Sequence, residues 1–139
     1  MKRTAKAHWN GTFQQGKGAL ATQSKTLQNT AYSFKARVEE GAGTNPEELL
    51  AAAHAGCFTM AISHALSEAG YTPNDLNTEA IVNFDLNTFT ITGIHLDFNA
   101  SKIENLSEEK LNEIAEATKK TCIISRALSV PITLEVKYV

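Results

Sequence analysis

The sequence predicts an α+β fold with mostly antiparallel sheet, on three observations. Several short runs alternate apolar and polar residues with a period of two. One long helical stretch, "NPEELLAAAHAGCFTMAISHAL", is apolar on nearly every face. A second stretch, "SEEKLNEIAEATKKTCIISRAL", has the spacing of a one-sided helix. The 139 residues correspond to one domain over 1–139.

The elements follow in chain order. "AKAHW" and "GKGALATQ" read as short strands punctuated by glycine. In "YSFKARV", Tyr32, Phe34, Ala36 and Val38 alternate with Ser33, Lys35 and Arg37, which predicts a strand with Arg37 on its polar face. "EEGAGTN" is a loop. Asn45 suits a helix N-cap, and Pro46 the first helical position. Glu48, three residues after the cap, completes an Asn form of the capping box and is expected to reach back to the cap amide. Glu47 remains in the first turn, where the helix dipole favours a carboxylate.

This helix is expected to run to Glu68 or Ala69, with Gly70 as C′ residue and Pro73 blocking continuation. Being apolar all round, it should be central and covered on several sides. Ala51, Ala52, Ala53, Ala55 and Gly56 let another backbone approach, including a helix of a second chain. "TEAIVNFDL" and "FTITGIHLDFN" form an antiparallel hairpin around Asn87-Thr88, and the apolar phase slips at Gly93, which predicts a β-bulge. Ser107 caps the second long helix, whose inward stripe is Leu111, Ala115, Thr118 and Cys122. "PITLEVKYV" is a final strand, confined by Pro131 to a strand start or an edge.

Composition excludes some functions. Net charge is −2, and no basic stripe stands out, so nucleic acid is not an expected partner. The first residues, "MKRTAKAHWNGTFQQG", lack an apolar signal region. The 45–66 stretch carries two Glu, two His, Asn, Ser and Gly among its alanines, which argues against a membrane span. The expected setting is cytoplasmic. There a structural disulfide is improbable, and Cys57 and Cys122 read as inert core residues, metal ligands or a redox pair.

Cys57 sits about three turns inside its helix, beyond the reach of the N-terminal dipole. Burial raises a thiol's pKa, so a reactive Cys57 needs a cation beside it. His54, His64, Arg37, Arg126 and the lysines are the available ones. A zinc site from His54, His64 and both cysteines matches no standard spacing. A hydrolase nucleophile would need an oxyanion-forming motif, and none accompanies Cys57. An Arg37–Glu47 ion pair would hold a guanidinium still and aim it at a thiolate. Glu47 and Cys57, however, are ten residues apart, about 15 Å along one helix. Either the helix breaks between them or Glu47 comes from a second chain.

The stretch "GTNPEELLAAAHAGCFTMAISHALSEAGY" resembles the central helix of the OsmC/Ohr family of thiol peroxidases. "AHWNG" followed by "GKG" is similar to the start of its OsmC branch. "YSFKARVEEG" resembles the strand carrying the active-site arginine. "TCIISRAL" with "ITLEV" resembles the region of the second cysteine. The resemblance implies an intertwined α+β homodimer around a long buried central helix. It implies reduction of organic hydroperoxides, with a dithiol such as dihydrolipoamide as reductant and no metal or other cofactor. Cys57 matches the peroxidatic cysteine, and Cys122 the resolving cysteine that closes a disulfide with it. Arg37 matches the thiolate-stabilising arginine, and Glu47 the glutamate that orients it. Ile123 departs from the family, in which proline commonly follows the second cysteine. Two other classes stay open beside the enzyme: a non-enzymatic dimer binding an apolar ligand, and a dithiol redox sensor.

Overall fold

The computed structural model describes residues 1–139, which divide into two compact units, Met1–Leu49 and Leu50–Val139. In the first unit, β1 (Ala5–Asn10), β2 (Lys17–Thr22) and β3 (Thr30–Tyr32) form an antiparallel sheet in that order. Trp9 and Tyr32 meet across it at a tilt, with ring centroids 5.4 Å apart. Gly18 lies beneath both rings, where any Cβ would strike Tyr32 and Trp9.

The strand expected over Tyr32–Val38 stops at Tyr32. Residues Phe34–Val38 form a short helix, α1. The cause is local: the Ser33 hydroxyl accepts a hydrogen bond from the Ala36 amide at 3.0 Å and caps the helix. Arg37 is therefore a helical residue, not one on the polar face of a strand.

The long helix, α2, spans Pro46–Glu68. Asn45 caps it as expected, its Oδ1 accepting from the Glu48 amide at 2.9 Å. The other half of the expected capping box does not form, because the Glu48 carboxylate takes the Thr44 hydroxyl instead. The Asn45 side-chain amide donates to the Ala36 carbonyl at 2.9 Å and so ties α1 to the start of α2. At the other end Gly70 has φ +88°. The Gly70 amide donates to Ser67 O and the Tyr71 amide to Leu66 O, each at 3.0 Å, which is a Schellman closure.

In the second unit, β4 (Leu76–Asp85), β5 (Thr90–Ala100) and β6 (Ile132–Tyr138) form one sheet with β5 in the middle. The β4–β5 hairpin is antiparallel. Asn83 faces Gly93 and Phe84 faces Ile91, so Thr92 is the bulged residue beside the glycine where the apolar phase slips. β6 joins β5 in parallel, as an edge strand that follows Pro131. Between them lie α3 (Glu108–Thr121), capped by Ser107, and α4 (Ile123–Ala127). The single helix expected to run through Cys122 is thus two helices. Cys122 has φ −52° and ψ 129°, which ends α3 and starts α4.

The core joins Phe58, Ile62 and Leu66 of α2 to Ile94, Leu96, Phe98 and Ala100 of β5 and to Leu111 and Ala115 of α3. Phe58 and Phe98 meet edge to face at 5.5 Å. Phe58→Ala is expected to lower unfolding stability by about 3–5 kcal/mol, measured by urea denaturation.

Within the chain, α2 buries one stripe: His54, Phe58, Ile62 and Leu66. The opposite stripe, Ala52, Gly56, Met60 and His64, is exposed, with Met60 at 77%. The cover expected on several sides is supplied by this chain on one side. The helix is long and apolar enough to span a membrane by length and composition.

Candidate functional site

Two pairs of side chains are gathered, one in each unit. In the first unit, Arg37 and Glu47 form an ion pair. Arg37 Nε faces both carboxylate oxygens of Glu47, at 3.2 and 3.3 Å. Ser33 and Asn45 position the partners by fixing the starts of α1 and α2. The carboxylate takes the Nε edge of the guanidinium and leaves its terminal N–H groups for another acceptor. Both side chains are largely covered, so the pair is less screened than an ion pair in open water. Arg37 lines a cavity of about 380 Å³ whose other walls include Trp9, Phe13, Tyr32, Phe34 and Pro46. Four aromatic rings beside one guanidinium suit an apolar molecule with a polar end.

In the second unit, α2 carries Cys57 and the α3–α4 junction carries Cys122. Both are free thiols, and their sulfurs lie 3.1 Å apart. A disulfide needs these atoms about 1 Å closer. They are 65 positions apart, with the end of α2, β4, β5 and α3 between them.

The two thiols are electrostatically unequal. Burial raises the pKa of Cys57, as does its contact with Cys122, against the opposing amides of Ile124 and Ile123. Burial also pushes Cys122 up. In its case the Ser125 amide, the Cys57 thiol, the Ser125 hydroxyl and the Ile124 amide outweigh burial and leave its pKa lowered.

Of the other cations considered for Cys57, His54 is paired with a hydroxyl. Its Nε2 lies 2.7 Å from Ser125 Oγ, and burial lowers its pKa, so it is a neutral group. His64 and Arg126 are exposed. Ser125 was not singled out from the sequence. Its one signal there is its place three residues after Cys122, on the same turn if a helix restarts at the cysteine. α2 is continuous from Pro46 to Glu68, so a break between Glu47 and Cys57, the first of the two alternatives raised by their spacing, does not occur.

Residues 39–137 match the family model described as OsmC-like protein. The chain is also 39% identical over 135 residues to Peroxiredoxin OsmC of Escherichia coli, covering 96% of this chain and 94% of that protein. The chain belongs to the OsmC-like family. The crystal structure of the organic hydroperoxide resistance protein OhrB of Bacillus subtilis aligns with this OsmC-like chain at a TM-score of 0.67. That alignment has 26% identity and covers 96% of this chain and 98% of that one. An OsmC-like protein from Mycoplasma pneumoniae shares the fold, with a TM-score of 0.78 at 17% identity, covering 100% and 98% of the two chains. The family match takes in Glu47, Cys57 and Cys122, while Arg37 lies two residues before it.

Proposed function

We propose that the chain is a peroxiredoxin-like enzyme that reduces organic hydroperoxides through Cys57 and Cys122 and works as a homodimer in the cytoplasm. The observation that carries this reading is the 3.1 Å separation of the two sulfurs. Support comes from the full-length similarity to Peroxiredoxin OsmC and from the likeness to OhrB, which is named for organic hydroperoxide resistance.

The chemistry runs in three steps. The Cys57 thiolate attacks one oxygen of the peroxide, the O–O bond breaks, and the alkoxide leaves with a proton as alcohol. Cys57 is now a sulfenic acid. The Cys122 thiolate then attacks the Cys57 sulfur, forming the S–S bond and expelling hydroxide, which leaves as water. A dithiol of the dihydrolipoamide type, oxidised to its own disulfide, returns both thiols by exchange.

The first step needs a Cys57 thiolate, which burial opposes within one chain. In this reading the missing charge is the Arg37 guanidinium of the second copy, held by its own Glu47. An arginine beside the sulfur favours the thiolate. The exposed stripe of α2, small at Ala52 and Gly56 and apolar at Met60, suits the face on which the second copy packs. The aromatic cavity beside Arg37 suits the organic part of the peroxide.

Cys122→Ser tests the order of events. The variant is expected to lose one thiol to an alkyl hydroperoxide, to be labelled by dimedone at Cys57, and to progress to sulfinic acid with excess peroxide. Dimedone labelling at Cys122 in a Cys57→Ser protein, with none at Cys57 in this variant, would reverse the assigned roles.

A further inference from the structure

The cavity beside Arg37 joins a cation to fixed apolar walls, and every residue that lines it belongs to the first unit. The walls are two tilted ring pairs. Trp9 meets Tyr32 at 5.4 Å, and Phe13 meets Phe34 at 4.7 Å. Trp9 is held in place. Its indole N–H donates to the Gly11 carbonyl at 3.1 Å, and Gly16 and Gly18 lie against its ring where a Cβ would strike it. Phe13, 55% exposed, stands at the open side.

Arg37 is the one charged side chain of the lining. Its ion pair with Glu47 is made at Nε, so the fork formed by its two terminal nitrogens keeps its N–H donors. Ser33 also lines the cavity. Its hydroxyl oxygen accepts from the Ala36 amide, which leaves the hydroxyl hydrogen to donate. No carboxylate lines the space. A planar fork of N–H donors matches the two oxygens of a carboxylate. The charge of the guanidinium is already shared with Glu47, which favours a monoanion over a phosphate dianion. The four rings require the rest of the ligand to be apolar, and about 380 Å³ suits a small molecule.

We propose that this cavity binds an apolar carboxylic acid, aryl or alkyl. Its carboxylate takes the terminal fork of Arg37, and its apolar part lies among Trp9, Phe13, Tyr32 and Phe34. The binding stands on the first unit alone, and its consequence for turnover rests on the peroxidase reading. In that reading the same fork faces the Cys57 thiolate of the second copy. Acid and thiolate are then two anions competing for one guanidinium, and the acid also fills the space of the organic part of the peroxide. It therefore inhibits competitively with hydroperoxide. By linkage, whatever removes the thiolate tightens the binding of the acid. Closing the disulfide does so, which makes the oxidised protein the form that holds the acid.

Trp9 is the single tryptophan and lines the cavity, so its fluorescence reports binding without any turnover. The probe is 4-phenylbutyrate at pH 7. The control is 4-phenylbutanamide, which keeps the ring and chain and lacks the charge. The Cys57→Ser protein, which has no thiolate at that position, is titrated first. The acid is expected to saturate with a Kd of about 1 mM or below, and the amide to bind about tenfold more weakly. Arg37→Gln in that background should bring the acid down to the affinity of the amide and leave the amide unchanged. Phe13→Ala should weaken both and keep their ratio.

Equal binding of acid and amide, or no saturable change in Trp9 fluorescence, overturns the inference. So does an Arg37→Gln protein that keeps the preference for the acid. In the unsubstituted protein the acid is expected to bind about fivefold more weakly in the reduced form than after one equivalent of cumene hydroperoxide. Equal binding in the two forms, with the preference for the acid intact, leaves the acid site standing and contradicts the pairing of Arg37 with the Cys57 thiolate. Absence of hydroperoxide turnover in a protein that binds the acid overturns the peroxidase reading alone.

Discussion

Cys57→Ser is expected to abolish hydroperoxide turnover, a loss of at least about a thousandfold, in an assay that follows alkyl hydroperoxide with a dithiol reductant. The serine hydroxyl keeps the volume and polarity of the position but is a far weaker nucleophile at neutral pH. Folding should be little changed, since Cys57 is only partly buried and lies beside the core rather than within it. Circular dichroism and the urea midpoint check that point. Cys122 remains in this variant as the one thiol. Residual turnover at the wild-type rate would mean that Cys122, not the thiol on α2, meets the peroxide.

Arg37→Ala is expected to lower the rate of Cys57 oxidation by about 10- to 100-fold at pH 7. In the proposed reading the guanidinium of the second copy offsets burial at Cys57, and an adjacent opposite charge moves a pKa by about 1–3 units. The sign is fixed by the chemistry: the thiolate reacts. Burial already raises the Cys57 pKa, so removing the arginine raises it further and leaves less thiolate at pH 7. The rate–pH profile of the variant should therefore shift to higher pH and regain part of its rate in alkaline buffer. Lysine should restore less than the native residue. It carries the charge but not the fork that Glu47 holds by the Nε edge. A profile that drops without shifting would mean that Arg37 positions the substrate and does not stabilise the thiolate.

Much of the fold was legible because its signals are local. The bulge at Gly93, the Asn45 and Ser107 caps and the Gly70 closure each follow from one or two residues whose chemistry has few alternatives. Arg37 was singled out from the sequence, but its local structure was not legible there. Tyr32, Phe34, Ala36 and Val38 alternate, and a five-residue helix is too short to show a period of its own. The Ser33 cap decides the matter, and a serine within an alternating run does not announce that role. The break at Cys122 was hidden for a related reason. The stripe Leu111, Ala115, Thr118 and Cys122 runs smoothly into the junction, and neither glycine nor proline marks it. Proline would suit position 123, the first residue of α4, where its lack of an amide costs no helical bond. Ile123 fills that place with an amide that opposes the burial of Cys57.

The residues of the proposed site could be named from the sequence, and their grouping could not. Spacing alone set Arg37 and Glu47 ten positions apart and the two cysteines 65 apart, and pairs at such separations are invisible to any helical or strand period. Ser125 and His54 are further still, at 71. Their pairing depends on α4 returning against α2, which only the tertiary fold brings about.

The central claim is that Cys57 and Cys122 of one chain form a working disulfide pair. The direct measurement is peptide mapping by mass spectrometry after one equivalent of cumene hydroperoxide, on an equal mixture of isotopically light and heavy chains. The expected product is a peptide containing Cys57 linked to one containing Cys122. It should be two hydrogens lighter than the free peptides, and light–light or heavy–heavy only. Unchanged free thiols, or a light–heavy link in statistical proportion, would contradict the account.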